Sequence, residues 1–145
     1  MIKEFFYKIG EFADGYKANT KTGRTMPKVK IKRVYDKPLK RDGFRILVDR
    51  FWPRGVTKAD AAIDEWAKEL APSNILRNWF DHDPYYWEQF RKKYKAELKQ
   101  NKELNEFIER HRNRKVITLI YSTRYDNLTH ALVLADFIKN IYNDT

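Results

Sequence analysis

The sequence predicts an α/β fold, a layered domain with a small, mainly parallel sheet flanked by helices. Three observations carry this expectation. Ile46-Leu47-Val48, and the stretch KVITLIYS over Lys115–Ser122, are unbroken apolar runs of the kind found in buried strands. Most of the chain between them has helical character, and a long crossover of that kind joins parallel neighbours. Upstream, Lys28, Lys30 and Lys32 alternate with Val29 and Ile31, the period of a half-buried strand at a sheet edge.

Taken in order, residues 1–27 read as an N-terminal extension and residues 28–145 as a single α/β domain. In the extension, Phe5, Phe6, Tyr7, Phe12 and Tyr16 are expected to fold back as a short helix or hairpin. Lys17–Met26 is polar and contains Gly23, which suits a turn or loop, and Pro27 closes it. Asp42-Gly43 marks a turn into the strand Phe44–Asp49. Asp60–Leu70 is open between a helix with Ile63, Trp66 and Leu70 on one face and a short strand. Pro72-Ser73 begins a helix whose apolar stripe is Ile75, Leu76, Trp79 and Phe80. Asp83 then caps the following helix, Pro84 takes its first position, and Tyr86, Phe90, Tyr94 and Leu98 recur every four residues. Leu104, Phe107 and Ile108 continue helical packing towards Arg114. A last helix starts near Leu128 and buries Ala131, Leu132, Ala135 and Ile138.

Composition narrows the function. A hydrophobic content of 42% with 15% aromatics argues for a packed core despite 34% charged residues. No apolar run approaches the roughly 20 residues that span a bilayer. Lys3, Glu4 and Lys8 interrupt the N-terminus where a secretory signal needs continuity, so no membrane partner and a cytoplasmic location are expected. Cysteine is absent, which excludes disulfides, thiol nucleophiles and zinc ribbons. His82, His111 and His130 show no metal-binding spacing, so neither a metal nor another cofactor is expected. Five glycines form no phosphate loop or dinucleotide fingerprint, and the nucleophile-elbow and zinc-protease motifs are missing.

The net charge of +10 favours anionic partners. Residues 1–40 hold eleven basic against four acidic residues, most of the surplus. Weak nucleic-acid binding through this third is one reading; solubility and a lysine-guarded strand edge is the plainer one.

In parallel α/β sheets ligands bind beyond the carboxyl ends of the strands. The first buried strand runs into Asp49-Arg50-Phe51-Trp52-Pro53-Arg54-Gly55. Arg50 and Arg54, on a loop shaped by Pro53 and Gly55, suit a clamp for phosphate or carboxylate. Trp52 offers a face for stacking, or packs beneath the loop. Asp49 orients a neighbour or simply pairs with an arginine. The second buried strand ends in Tyr121-Ser122-Thr123-Arg124-Tyr125-Asp126-Asn127, just before the last helix. Ser122 and Thr123 are candidate hydroxyl donors, and Arg124 is a third candidate cation. Asn127 or Thr129 reads most simply as a helix cap. His130, in the first helical turn, is a candidate for proton transfer or a structural hydrogen bond. Asp81-His82-Asp83-Pro84 forms a second-rank cluster in which Asp83 already serves as a cap.

VYDKP (34–38), DGFRILVDRFWPRG (42–55), ELAPSNILRNWFDHDPYYWEQFRKKYKAEL (69–98) and ITLIYSTRYDNLTHALVLADF (117–137) together resemble the YeaO-like family, the proteins of domain of unknown function number 488. The resemblance covers roughly residues 28–142 and implies a compact α/β protein, with no enzymatic activity attached. The family's Asp-Arg-x-Trp-Pro-Arg-Gly falls on Asp49, Arg50, Trp52, Pro53, Arg54 and Gly55. Its His-Asp-Pro falls on His82, Asp83 and Pro84, and its His-Ala on His130 and Ala131. More distant relatives are similar in plan but carry Cys-His-Arg where this chain has Thr129-His130-Ala131, which removes a cysteine-based mechanism here. Residues 1–27 match nothing typical of the family.

The combined expectation is an anionic small-molecule site for a phosphorylated or nucleotide-like ligand. Arg50 and Arg54 clamp the anion, Trp52, Ser122, Thr123 and Arg124 add contacts, and His130 and Asp49 are the candidate catalytic pair. Whether hydrolase or transferase chemistry accompanies binding stays open. The rivals are a nucleic-acid-binding module using the basic N-terminal third and a protein-binding domain without chemistry.

Overall fold

The computed structural model describes residues 9–11, 17–19, 25–125 and 127–143. Three short antiparallel strands come first: β1 (Ile9–Glu11), β2 (Lys17–Asn19) and β3 (Thr25–Met26). The loop expected over Lys17–Met26 therefore contains two strands. The fold-back expected of Phe5, Phe6, Tyr7, Phe12 and Tyr16 lies outside the described residues. Met26 is fully buried, so the core already begins at this residue.

The main sheet consists of β4 (Lys28–Arg33), β5 (Phe44–Leu47), β6 (Glu65–Trp66) and β7 (Val116–Tyr121) in the order β4-β7-β5-β6, every pair parallel. The two strands expected to be buried are adjacent, and the lysine-bearing strand is at an edge. Among the described residues five α-helices accompany the sheet: α1 (Lys58–Ala61), α2 (Asn74–Phe80), α3 (Trp87–Lys99), α4 (Lys102–His111) and α5 (His130–Asn143). Alternation along the strands separates two cores. Val29, Ile46, Val48, Ile117, Leu119 and Tyr121 meet the larger helices, burying Phe90, Tyr94, Leu104, Phe107 and Ile138 among others. On the opposite face Val34, Leu47 and Ile120 meet Ala61 of α1, with Trp52, Val56 and Ile63 packed around them.

The segment 60–70 resolves in favour of the strand. A helix ends at Ala61, Glu65–Trp66 pairs with Ile46–Leu47, and a single 3-10 turn follows at Lys68–Leu70. The stripe expected on α2 is half correct. Leu76 and Phe80 are buried, but Ile75 is 84% exposed and Trp79 39%. A helix of seven residues presents only a narrow face, so one i, i+4 pair faces the body. Ser73 caps it by accepting the N–H of Leu76 at 3.1 Å, and Asp83 caps the next turn by accepting the N–H of Tyr85 at 3.0 Å.

Lys32 and Arg45 converge on the buried carboxylate of Asp42, at 3.1 and 2.5 Å. Burial raises the pKa of Asp42, but the Leu39 N–H and these two cations outweigh it and hold the group below the usual carboxylate value. Lys30 donates to the Arg41 carbonyl at 2.9 Å. Two of the three strand lysines are thus engaged within the fold. No helix among the described residues is long and apolar enough to cross a membrane.

Candidate anion-binding cleft

Parallel pairing brings the exits of β4, β5 and β7 to one edge of the sheet, and a cleft of about 540 Å³ opens there. Its walls come from several places, among them Tyr35 beyond β4 and Ala71-Pro72 before α2. The β5 exit supplies Asp49 through Arg54, the β7 exit Ser122 and Thr123, and the start of α5 Leu128 and His130. The last wall is Arg77, Phe80 and Phe90 of α2 and α3, together with His82 in the turn between them. Of the candidate residues, Asp49, Arg50, Trp52, Arg54, Ser122, Thr123 and His130 all line it. Arg124 does not: it is exposed and stands over the Tyr125 ring at 5.8 Å.

The β5 exit loop is fastened on several sides. The Trp52 indole donates to the Val56 carbonyl at 2.7 Å and meets Trp66 edge-on at 5.6 Å. Trp66 donates to the Asp49 carbonyl at 2.7 Å, and the Tyr35 hydroxyl donates to the Arg54 carbonyl at 2.9 Å. Gly55, at φ +72°, supplies the left-handed turn that closes the loop. The β7 exit is held by Arg33, which donates to the Thr123 and Ser122 carbonyls at 3.0 and 3.2 Å.

The two loops are joined by Asp49. Its Oδ2 accepts the N–H and the hydroxyl of Ser122 at 3.0 and 2.6 Å. His130 Nε2 lies 2.9 Å from the Val48 carbonyl and 3.5 Å from Asp49 Oδ1. Both neighbours are acceptors, so this nitrogen carries the hydrogen, and Nδ1 is the ring's other nitrogen for any further contact. Thr129 is fully buried and accepts the Ala131 N–H at 3.2 Å, a capping contact.

The two arginines of the loop differ. Arg50 donates through Nε and Nη2 to the Pro72 carbonyl at 3.4 and 3.1 Å, and through Nη2 to the Ala71 carbonyl at 3.3 Å. Arg54 is exposed at the cleft, and its side chain forms no ion pair among the described residues. Arg77 also lines the cleft, its guanidinium 5.0 Å from the Phe51 ring centroid. Sequence reasoning passed over Arg77 and Tyr35. Tyr35 directly follows β4, the third strand whose exit reaches this edge. Arg77 precedes Phe80 by three positions and so shares its side of α2.

The exposed His82 ring neighbours Phe80 and Tyr125, with its centroid 5.9 Å from that of each. Loss of water around it, more than any single charge, holds its pKa below 6.5, with His130 and Arg77 adding to the effect and Asp81 and Asp49 opposing it. Among the described residues no group of three or more metal-binding side chains comes together.

Comparison with known proteins agrees with the motifs. The chain is 42% identical over 113 residues to Uncharacterized protein YeaO of Escherichia coli, covering 78% of this chain and 98% of that protein. It is 38% identical over 112 residues to Uncharacterized protein Mb3100c of Mycobacterium bovis, covering 77% and 94%. No solved structure gives a significant match. The model of the family described as the inactive DUF488-N3 subclade matches residues 28–145, and the chain belongs to that family.

Proposed function

We propose that the cleft binds a phosphorylated or nucleotide-like small anion, and that its role is recognition rather than turnover. One observation carries this reading. Arg54 and Arg77 face one cleft with no ion pair among the described residues, while Asp49, the single carboxylate lining the described cleft, is taken up by Ser122. Such a surface is poor at holding anything but an anion. A volume of about 540 Å³ is far larger than an inorganic phosphate and lies in the usual range for organic ligands. Tyr35 and Phe51, 48% and 57% exposed, offer aromatic surface at the same cleft.

In this reading Arg54 and Arg77 make the direct charge contacts, and Arg50, bonded to the Ala71 and Pro72 carbonyls, stiffens the floor. The Thr123 hydroxyl accepts from the Tyr125 N–H at 3.3 Å and keeps its own hydrogen for a ligand. Ser122, Asp49 and His130 act as a brace between the strand exits. The description of the family as inactive and the absence of cysteine both favour binding over catalysis. Nucleic-acid binding through the N-terminal third has less support, since Lys30 and Lys32 are engaged by Arg41 and Asp42.

The test is calorimetric titration with pyrophosphate and with a nucleoside monophosphate at physiological salt. Binding is expected, with Arg54→Ala and Arg77→Ala each weakening it at least about tenfold, the scale of one lost charged hydrogen bond. Equal affinity in Arg54→Ala and the unaltered chain overturns the reading.

A further inference from the structure

The turn between α2 and the next helical turn holds an unusual residue pair. Asp81 and His82 both have left-handed backbones, at φ +45° and +55°, and neither is glycine. Side chains disfavour this conformation. Its consequence here is positional: it turns the chain out of α2 so that the His82 ring joins the cleft wall beside Phe80 and Tyr125. The groups facing the ring are Asp81 on its own turn, Arg77 from α2, Asp49 from the β5 exit and His130 from α5.

Resting on the anion-binding reading, we infer that His82 is a ligand-contacting residue that takes up one proton when a dianion enters the cleft. In the empty cleft the ring is open to solvent on one side and stands 5.9 Å from each of two aromatic rings; the partial loss of water there, with Arg77 nearby, outweighs the pull of Asp81 and Asp49 and favours its neutral form. A dianion held by Arg54 and Arg77 reverses the local potential. The imidazolium then becomes the favoured form and adds a further charged donor to the ligand. Only a proton moves, from solvent to an imidazole nitrogen. The selectivity that follows is for doubly charged groups, such as a phosphomonoester, over monoanions of similar shape.

Sulfate is the right probe, because it remains a dianion across the range in which histidine titrates. Calorimetry of the full chain with sulfate in two buffers of different ionisation enthalpy is expected to show uptake of about one proton per anion near neutral pH. Affinity should rise as pH falls, towards a limiting slope of about tenfold per pH unit for one linked proton. His82→Asn, which suits a left-handed backbone, should abolish the uptake and keep the weaker affinity seen at alkaline pH. His82→Arg should bind tightly with no pH dependence. In the unaltered chain, NMR should show the His82 ring titrating at higher pH once sulfate is added. Uptake that persists in His82→Asn, or a ring titration that sulfate does not move, overturns the inference. Sulfate binding without proton uptake sinks it too, but leaves the cationic cleft standing. Absence of any anion binding sinks both.

Discussion

Asp49 Oδ2 accepts both the backbone N–H and the hydroxyl of Ser122, at 3.0 and 2.6 Å, and so ties the exit of β5 to the exit of β7. The bond lies two residues beyond Leu47 and Ile120, the last pair of two parallel neighbours, and past the Val48 N–H bond to the Ile120 carbonyl at 3.0 Å. Position, more than charge, is what this carboxylate contributes. Asp49→Ala should therefore cost about 1–3 kcal/mol, the range for breaking partly buried hydrogen bonds to a charged group. Asp49→Asn keeps an acceptor oxygen for Ser122 and should retain most of the stability. It also removes the negative charge from the cleft, so it should bind sulfate more tightly than the unaltered chain. Urea denaturation and sulfate titration of the two variants check this. An asparagine variant as unstable as the alanine one would show that the charge does the bracing.

A second test addresses how the sheet is entered. Gly43 has φ +67°, and a Cβ there would stand 2.4 Å from the Val116 carbonyl oxygen and 2.8 Å from the Val116 Cβ. These are atoms of the adjoining β7 strand and its backbone, which cannot retreat without breaking the pairing of Phe44 with Ile117. Gly55 has a similar φ of +72° but nothing within 4 Å. Gly43→Ala should cost about 2 kcal/mol or more, combining conformational strain with the clash. Gly55→Ala should cost about 1 kcal/mol, from the backbone conformation alone. Similar losses measured by denaturation would mean that Val116 accommodates the methyl group.

The parts of the cleft that could be read in the sequence are those fixed by the strands. Ile46-Leu47-Val48 and the run from Val116 to Tyr121 are too apolar to be anything but buried, and the crossover between them makes them parallel. Their exits must then share an edge, which is why Arg54, Ser122 and His130 could be placed together before any geometry was known. What a side chain does at that edge was not legible. Arg50 and Arg54 are four residues apart and chemically identical, yet one is bonded to carbonyls more than twenty residues away. Any residue supplies a carbonyl, so such a partner leaves no mark on the sequence. His82 was obscured differently. Its neighbour Asp83 has a clear capping role, and the left-handed turn at Asp81 and His82 has no glycine to announce it. Ile75 and Trp79 misled because helical periodicity does not reveal how narrow a seven-residue helix's contact face is.

Acid sensitivity should centre on His111, which is fully buried beside β6. Its Nδ1 accepts from Arg114 Nε at 2.9 Å, and its Nε2 donates to Glu65 Oε1 at 3.0 Å. A second ring proton would have to displace Arg114. Burial is the largest influence holding the pKa of His111 below 6.5, and Arg110 and Arg114 add to it against the opposing pull of Glu65. The unfolded chain therefore binds the proton more readily than the folded one. The stability this group contributes is complete above its unfolded value near 6.5, and is lost as pH falls from there through the lower folded value. Denaturation followed over this window should show stability declining with acid. His111→Asn should be less stable near neutrality but flatter in the same window. His82 is retained in both chains, so the difference between the curves isolates His111. Parallel curves would place the acid sensitivity elsewhere.

The last prediction separates the two arginines of the β5 exit loop. Arg50 is partly buried and donates to the carbonyls of Ala71 and Pro72, which precede α2. These carbonyls lie in an irregular segment that cannot satisfy them through a helix or a ladder, so losing the guanidinium leaves acceptors without their partner. Arg50→Ala should cost about 1–3 kcal/mol of stability. Arg50→Lys should recover only part of it, because an ammonium does not reproduce the planar fork that reaches both carbonyls. Arg54 is exposed and has no ion pair among the described residues, so Arg54→Ala should stay within about 0.5 kcal/mol of the unaltered chain. The order should reverse for pyrophosphate: Arg54→Ala loses binding although the fold is intact, while Arg50→Lys loses stability first and still binds when folded. Denaturation and titration of the three variants decide between this division of labour and a clamp in which both arginines act alike. Equal losses of binding from Arg50→Lys and Arg54→Ala, with stability untouched in both, would establish the symmetric clamp instead.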